Sequence, residues 1–536
     1  MYWPNRHITL AGYILVAVSF PLSVFGMSLG IIILAGNWIV DGHFRQKYEA
    51  AIHQKAFLLI LSVYLIHVLW LVNTSDIHYG LADLRVKLPL LVIPLIAATG
   101  YKLTYWERKT IMVFFILGLL VSALISLLVL TGRLPVNVTD ARQASLFVSH
   151  IRLALMINLA LFSAFWYLND KGQELFRHEK IFFVVSIVLL ILYIFILKSF
   201  TGIILFLILD FLTLGGIAGR NKKLRKFIFP AMFFLALMVA GYLVSAVSRY
   251  CHVYVDEMRH PDSLTRQGNL YENDLHSRIL ENGHYVFLSV CEKEMKEEWN
   301  KRSSFGYDGT DKKNQQIRFT LMRYLTSKGL KKDAEGVKAL TDKDIHNIES
   351  GLANYIYADK WRLYPYVYQV IWEIDVYRKG ANPSGHSVTQ RIVYLEAAWD
   401  IIRQHPWLGV GTGNVKQAFA EEYAANLNFM APEWRKRAHN QFVTFWIAFG
   451  LPALLWILYA IYQPVVSGWK KGGYAAWVFA LIFTLSMFNE DTLETLAGAT
   501  FFAFFYALYF IMEARTEETG TFTNPEIFNR RNENES

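Results

Sequence analysis

Apolar stretches recur along almost the whole chain, and most are long enough to enter a lipid bilayer as helices. A helix needs roughly 17 to 25 apolar residues to cross the hydrocarbon core. About twelve stretches approach this length, at approximately residues 8–23, 25–40, 56–72, 88–100, 111–131, 153–168, 181–197, 201–218, 227–246, 441–463, 474–488 and 498–512. Apolar residues make up 54% of the 536, and 15% are aromatic. The sequence therefore predicts an all-α polytopic membrane protein with about twelve transmembrane helices.

The formal charge of +9 lies mainly in short loops between the apolar stretches. Basic loops are enriched on the cytoplasmic side of membrane proteins, so the positive charge is explained by membrane topology. We therefore expect the lipid bilayer as a partner and no binding to nucleic acid. If the spans alternate, one side receives the loops "HFRQKYEAAIHQK", "YKLTYWERKT", "NDKGQELFRHEK", "RNKKLRK" and "GWKKGG". We therefore expect both termini in the cytoplasm.

The chain is predicted to have four parts. Residues 1–247 would form an N-terminal bundle of about nine spans, and residues 248–438 a large, mostly helical loop domain outside the cytoplasm, before the third-last span. Residues 439–514 would supply about three more spans, and the polar tail 515–536 resembles a disordered terminus. The two cysteines, Cys251 and Cys291, lie in the loop domain, either as a disulfide or as two buried free thiols, with a structural role in both cases.

The end of the loop domain carries the most specific pattern. The stretch "QRIVYLEAAWDIIRQHPWLGVGTGN" reads as an amphipathic helix with Arg391 in its first turn, ended by Pro406. The glycines that follow do not fit a dinucleotide fingerprint, so a tight turn is expected. Arg435, Lys436 and Arg437 then precede His439, directly before an apolar run.

These residues resemble the O-antigen ligase family. The resemblance rests on the helix with its leading arginine, on "HPWLGVGTGN", and on "AHNQF" opening a span that continues "FGLPALL". It is strongest over about residues 385–460, and "SHIRLAL" at 149–155 and the place of the large loop support it. The resemblance implies an inner-membrane enzyme that moves an assembled glycan from undecaprenyl diphosphate to an acceptor at the periplasmic face. It also implies that His439 and Arg391 match the family's essential loop histidine and arginine.

A diphosphate held at a membrane surface needs cations, and arginine forks suit it best. The candidate ligands are Arg152, Arg435, Arg437, Lys198 and Lys87. The family commonly has a serine and arginine pair between two earlier spans, whereas this chain reads "LKSFTG" with Lys198 and no arginine. Headgroup anchoring is the alternative role for Arg435 and Arg437, and for Lys87 we expect snorkelling rather than diphosphate binding. Arg435 would share a helix face with His439 if the span's helix extends back that far.

The acceptor hydroxyl needs a base, and a neutral histidine suits pH 7, so His439 is the candidate. The acidic loop "NEDTLETL" could be a solvated loop, a source of counter-charge or a metal site. We expect counter-charge or acceptor orientation from Glu490, Asp491 and Glu494, with Asn440 as a further orienting residue, and no metal or cofactor.

Three functions stay open at this point. Ligation of the glycan to lipid A-core is the first expectation. A protein O-oligosaccharyltransferase or an O-antigen polymerase of the same superfamily would use the same machinery. A polysaccharide transporter would need ionisable residues within several spans, and Asp210 is the one residue clearly placed so, which argues against transport.

Overall fold

The computed structural model describes residues 3–136, 138, 141–170, 174–197, 199–254, 256–359, 362–380, 382–467 and 474–512. Two compact units are present. Unit 1 comprises Met1–Ile217, Tyr394–Asn428 and Arg435–Ser536, and unit 2 comprises Ala218–Val393 and Phe429–Trp434. The predicted tail, 515–536, and Lys198 lie outside the described residues. The predicted boundaries at 247/248 and 438/439 concern the membrane surface and stay predictions.

Helices account for nearly all regular structure in the described residues. In chain order they are α1 (Trp3–Ser19), α2 (Val24–Val40), α3 (Phe44–His53), α4 (Lys55–Leu69), α5 (Ile77–Lys87), α6 (Pro89–Thr99), α7 (Tyr105–Leu130), α8 (His150–Asn169), α9 (Arg177–Ile196), α10 (Phe200–Arg220), α11 (Lys222–Cys251), α12 (Asp256–Arg259), α13 (Glu292–Arg302), α14 (Ile317–Ser327), α15 (Ala334–Lys338), α16 (Asp342–Glu349), α17 (Tyr364–Arg378), α18 (Ser387–Gln404), α19 (Val415–Ala425), α20 (Gln441–Ser467), α21 (Tyr474–Asn489) and α22 (Leu496–Tyr506). In the described part of the chain, β1 (Leu280–Glu281) and β2 (His284–Tyr285) form the one two-stranded antiparallel hairpin.

Each of the twelve predicted apolar stretches is helical in the structure, as expected for an all-α membrane protein. Among the described residues, six segments are both long and apolar enough to cross a membrane: α4 with its following turn, α7, α8, α9, α11 and α20. The pair α2 and α3, bent by 116°, adds a broken or re-entrant seventh. The apolar parts of α10, α21 and α22 are shorter, so the number twelve stays a prediction.

Unit 1 is built around α22. Every residue of this helix from Ala497 to Tyr506 is buried, which explains how so short an apolar helix is covered. Its aromatic rings pack edge to face on Phe20, at the end of α1, with ring centroids 5.3 and 5.4 Å away at Phe504 and Phe501. Phe115 of α7 joins the same cluster.

Unit 2 has its own hydrophobic core. Trp299 of α13, Leu321 and Leu325 of α14, and Ile348 of α16 are fully buried in it. The regular structure in the described part of the large loop is almost entirely helical, but about half of these residues lie in turns and irregular segments, so the loop is less helical than predicted. Both cysteines are free thiols, so the disulfide alternative is not adopted. Cys291 is buried as the other alternative expected, whereas Cys251 is exposed.

A break in α20 positions the start of that helix. Gly450 has φ +76° and ψ 175° inside the helix, and a Cβ there would lie 2.0 Å from the Trp407 carbonyl oxygen, so only glycine fits. The break frees carbonyls that need new donors. The backbone N–H groups of Val410 and Gly411 donate to Ile447 and Ala448 at 2.8 and 2.9 Å.

The glycine-rich turn is therefore a packing element, as the tight-turn interpretation predicted. Gly411, at φ +96°, lies so close to the chain that a Cβ would meet the Asn73 carbonyl oxygen at 2.1 Å. Asn414 closes the turn by accepting from the Ser75 backbone N–H at 3.0 Å. The turn's N–H groups at 410 and 411 are occupied by helix α20, so they do not face a phosphate.

We expect the large loop to lie outside the cytoplasm. Single cysteines at Gly309 and Asn426, both exposed, should react with a membrane-impermeant thiol reagent in spheroplasts. A cysteine at Lys223, within "RNKKLRK", should react only after lysis. The background needs Cys251→Ser, because Cys251 is exposed. Labelling at position 223 in intact spheroplasts, with none at 426, would reverse the topology.

Candidate active site

His439 sits in a short non-helical segment just before α20. Its φ is +50°, in the left-handed region that few residues other than glycine adopt. The imidazole ring is half-buried and packs 5.8 Å from the ring of Tyr394 at 44°. The segment 435–440 is not helical, so α20 does not extend back to Arg435, and the condition for a helix face shared with His439 is not met.

One carboxylate receives hydrogen bonds from both sides of His439. Glu494 accepts from Arg437 at 3.1 Å, two residues before the histidine, and from Gln441 at 3.1 Å, two residues after it. Lys87, at the end of α5, donates to the same carboxylate at 3.0 Å. Gln441 also accepts from the backbone N–H of Leu493 at 2.8 Å. These bonds tie the histidine segment to the turn between α21 and α22.

Helix α5 completes this cluster. Asp83 accepts from Lys87 at 2.6 Å, and Tyr79 hydrogen-bonds the Arg437 guanidinium. The Lys87 side chain is 1% exposed, so the snorkelling explanation for it is wrong. Asp83, Lys87, Arg437 and Glu494 border a cavity of about 10 Å³, roughly the space of one water molecule.

The pKa values of the two acidic side chains in this turn, Asp491 and Glu494, are shifted in opposite directions. Burial alone would raise the pKa of Glu494, but Lys87 and Arg437 hold it well below its ordinary value. Burial and the neighbouring Glu494 charge instead raise the pKa of Asp491. Asp491 accepts from Thr444, in the first turn of α20, at 2.7 Å. Glu494 is thus the fixed counter-charge of the cluster, and Asp491 the more readily protonated carboxyl group.

Asn440 caps helix α20, since its side-chain oxygen accepts from the Val443 N–H at 3.1 Å. Its amide donates to the Phe488 carbonyl at 3.3 Å, at the end of α21. The half-exposed Glu490 has no hydrogen-bonding partner for its carboxylate among the described residues. Asn440 therefore orients the backbone next to His439, whereas the Glu490 carboxylate makes no contact with the described residues that would position this segment.

Arg152 lies in the first turn of α8 with an unsatisfied donor. Its Nε is buried without a hydrogen-bonding partner among the described residues. Nearer the middle of α8, Asn158 donates to the Gly202 carbonyl in the first turn of α10 at 3.1 Å. Thr201 in turn accepts from Asn489, the last residue of α21, at 3.2 Å. Contacts through α10 therefore link the middle of α8 to the end of α21 that Asn440 binds.

The remaining predicted cations are spread out. Arg435 donates to the Asn428 carbonyl at 3.3 Å, and Lys436 is exposed. Arg391 is half-buried in α18 and belongs to unit 2. The apolar residues on the buried face of α18 are Val393, Tyr394, Ala397, Ala398, Ile401 and Ile402. Within the described residues, no group of three or more His, Cys, Asp or Glu side chains could hold a metal.

Sequence reasoning missed Gln441, Thr444, Tyr79 and Asp83. A signal was present for α5, because Tyr79, Asp83 and Lys87 recur every four residues and share one helix face. No pattern in the sequence pairs these residues with a loop 407 residues further on.

Comparison with known families identifies the segment around the histidine. Residues 345–458 match the family model described as O-antigen ligase. We call residues 345–458 the O-antigen ligase domain, after the family to which they are similar. The match confirms the resemblance and supports a membrane glycosyltransferase of the O-antigen ligase and polymerase type. The O-antigen ligase domain contains Arg391, the glycine-rich turn and His439, whereas Lys87, Arg152 and Glu494 lie outside it. No curated protein matches the chain.

Removing the Glu494 charge should destabilise the protein. Glu494→Gln leaves the buried Lys87 and the partly buried Arg437 with one fewer anion, and breaking such a largely buried pair should cost up to about 3 kcal/mol. Thermal unfolding of the purified protein would measure this. Because the folded pKa is lowered, the stabilisation is present above the ordinary pKa of 4.5 and is lost as the pH falls below it. The variant should therefore lose less stability in acid than the wild type.

Glu490→Gln is the matched control, since the Glu490 carboxylate has no hydrogen-bonding partner among the described residues. Its stability should change by less than about 0.5 kcal/mol. Equal melting temperatures for Glu494→Gln and Glu490→Gln would show that the cluster does not stabilise the fold.

Proposed function

We propose that this protein transfers an assembled glycan from undecaprenyl diphosphate to a hydroxyl of lipid A-core at the periplasmic face of the inner membrane. The observation that carries the proposal is the fixed histidine: His439 lies within the O-antigen ligase domain, between two residues that bind one buried carboxylate. Such a residue, two positions before a membrane-spanning helix, is suited to a reaction at the bilayer surface.

His439 acts as the general base. The neutral imidazole takes the proton of the acceptor hydroxyl while the oxygen attacks the anomeric carbon of the glycan. The bond from that carbon to the diphosphate breaks, and undecaprenyl diphosphate leaves with the electron pair. Holding the histidine segment at both ends reduces the cost of aligning base and acceptor.

The diphosphate is bound by arginines. Arg152 supports this role best, because a buried Nε without a protein partner among the described residues has a donor to offer an anion. Arg435 is a second proposed ligand, the family resemblance adds Arg391, and Lys198 remains a proposed ligand outside the described residues. These cations stabilise the charge that grows on the leaving diphosphate.

Arg437 and Lys87 serve a different purpose. Both already bind Glu494, and Lys87 also binds Asp83, so their charges are compensated within this cluster. We therefore assign them to positioning the histidine segment, with Glu494 as their counter-charge, Asn440 as the helix cap and Asp491 orienting the first turn of α20 through Thr444. Glu490, with no such contact, is the alternative base.

His439→Ala should abolish transfer while the protein remains inserted at normal levels. Loss of a positioned base typically costs about 10²- to 10⁴-fold in rate. Arg391→Ala should also fail, and Arg391→Lys should recover only partly, because an ammonium keeps the charge without the two-pronged geometry. Lipopolysaccharide gels of cells that lack the native gene and carry each variant would show this. Lys436→Ala and His346→Ala, both at exposed positions, are the controls and should transfer normally.

Gels of lipopolysaccharide and of glycoproteins from cells without the gene separate the related reactions. If the protein is a ligase, these cells should have bare lipid A-core and should accumulate glycan on its lipid carrier. Single repeat units on the acceptor would indicate a polymerase, and normal lipopolysaccharide with lighter glycoproteins would indicate transfer to protein. Transfer by His439→Ala at more than a small fraction of the wild-type level would move the role of base to Glu490 or Asp491.

A further inference from the structure

Unit 2 contains a cleft that the proposed reaction does not use. Its volume is about 750 Å³, within the range of ligand-binding sites. Arg249, from the last turn of α11, forms part of the wall, together with Lys343 and Asn347 of α16 and the rings of Tyr355 and Tyr364. All of these residues belong to unit 2. The cleft is therefore a site within one unit.

The charges on its wall do not cancel. The two wall carboxylates are already paired, Asp344 with Lys328 at 2.7 Å and Asp359 with Arg362 at 2.8 Å. Lys343 is exposed and makes no ion pair with any described residue. Arg249 lies over the ring of Tyr364, 4.8 Å from its centroid, and likewise forms no ion pair within the described chain. Two positive charges are thus left for an anionic ligand.

The rest of the wall suits sugars better than lipid chains. Tyr355 is 45% exposed, and exposed tyrosine rings offer both a flat apolar face and a hydroxyl group. The side-chain amide of Asn347 donates to the Tyr324 hydroxyl at 3.0 Å. The side-chain oxygen of Asn347 can then accept from a sugar hydroxyl. Aliphatic lining is limited to Ile356, Ala358 and Pro365, too little to bury an acyl chain. Hydroxyl-rich rings with an acidic substituent match this combination.

We propose that this cleft binds a segment of glycan that carries anionic groups, such as uronic acid carboxylates. It would hold a long glycan through sugars that do not react. The choice of a glycan rests on the proposed function, but the binding itself does not involve His439, which lies in the other unit. Binding and transfer can therefore fail separately.

Direct binding to the full-length chain tests the proposal. The protein would be placed in phosphatidylcholine nanodiscs, and the anisotropy of labelled tetragalacturonate and labelled maltotetraose would be followed. We expect saturable binding of the anionic probe and at least about tenfold weaker binding of the neutral one. Arg249→Gln combined with Lys343→Gln should weaken tetragalacturonate binding by about tenfold or more. Tyr355→Ala should weaken both probes by roughly three- to tenfold.

Matched variants outside the cleft are the controls. Tyr366→Ala changes a tyrosine of equal exposure, 44%, and Lys293→Gln changes an exposed lysine of α13; both should bind as the wild type does. His439→Ala should also retain binding, and this result would stand even if no transfer activity were found.

Three results would overturn the proposal. The first is the absence of saturable tetragalacturonate binding below about 10 mM. The second is wild-type affinity in the cleft variants. The third is displacement of the probe by glycerophosphoglycerol as effective as by unlabelled tetragalacturonate, which would identify a lipid headgroup site instead.

Discussion

The buried carboxylate of Glu494 is the interaction on which the arrangement of the site depends. A charge removed from water is costly unless it is paired and hydrogen-bonded. Glu494, 11% exposed, meets this requirement with Lys87, Arg437 and Gln441. Its partners come from α5, from the segment before α20 and from the first residue of α20. These parts of the chain must therefore come together, and His439 is held between two of them.

The second constraint is the break in α20. An unbroken helix of 27 residues would use its own carbonyls, whereas the turn at Gly450 leaves Ile447 and Ala448 for the glycine-rich segment. That segment is anchored in turn by Asn73 and Ser75, before α5. The two parts of the O-antigen ligase signature, the glycine-rich turn and the span that follows the histidine, thus form one packed element. The glycines allow close approach between backbone segments, and this packing accounts for them without a phosphate-binding role.

Much of the fold could be predicted from hydropathy alone, because the hydrophobic thickness of a bilayer sets helix length. Each predicted apolar stretch is helical, and the glycine turn behaves as expected. One expectation about a single residue failed for a tertiary reason. Lys87 was expected to snorkel, but its partner Glu494 lies 407 residues away in the sequence. A helix that reached back to Arg435 would have placed it on the His439 face, but the left-handed backbone at His439 precedes the helix.

The site could be recognised from sequence only in part, for the same reason. His439 and Arg391 stand in a motif, so a resemblance could point to them. Gln441 and Asp83 acquire a role only through contacts that the fold creates. Asp491 and Glu494 both carry a carboxyl group. Their pKa values are shifted in opposite directions because different neighbours surround each one.

A double-mutant cycle between Arg437 and Glu494 tests the central claim most directly. Transfer rates would be compared for Arg437→Gln, Glu494→Gln and the double variant, with levels of inserted protein matched. If the pair acts by holding His439, each single change should slow transfer strongly, and the double variant should be about as slow as the worse single variant. Rate losses that multiply in the double variant would show independent roles, and they would contradict the account.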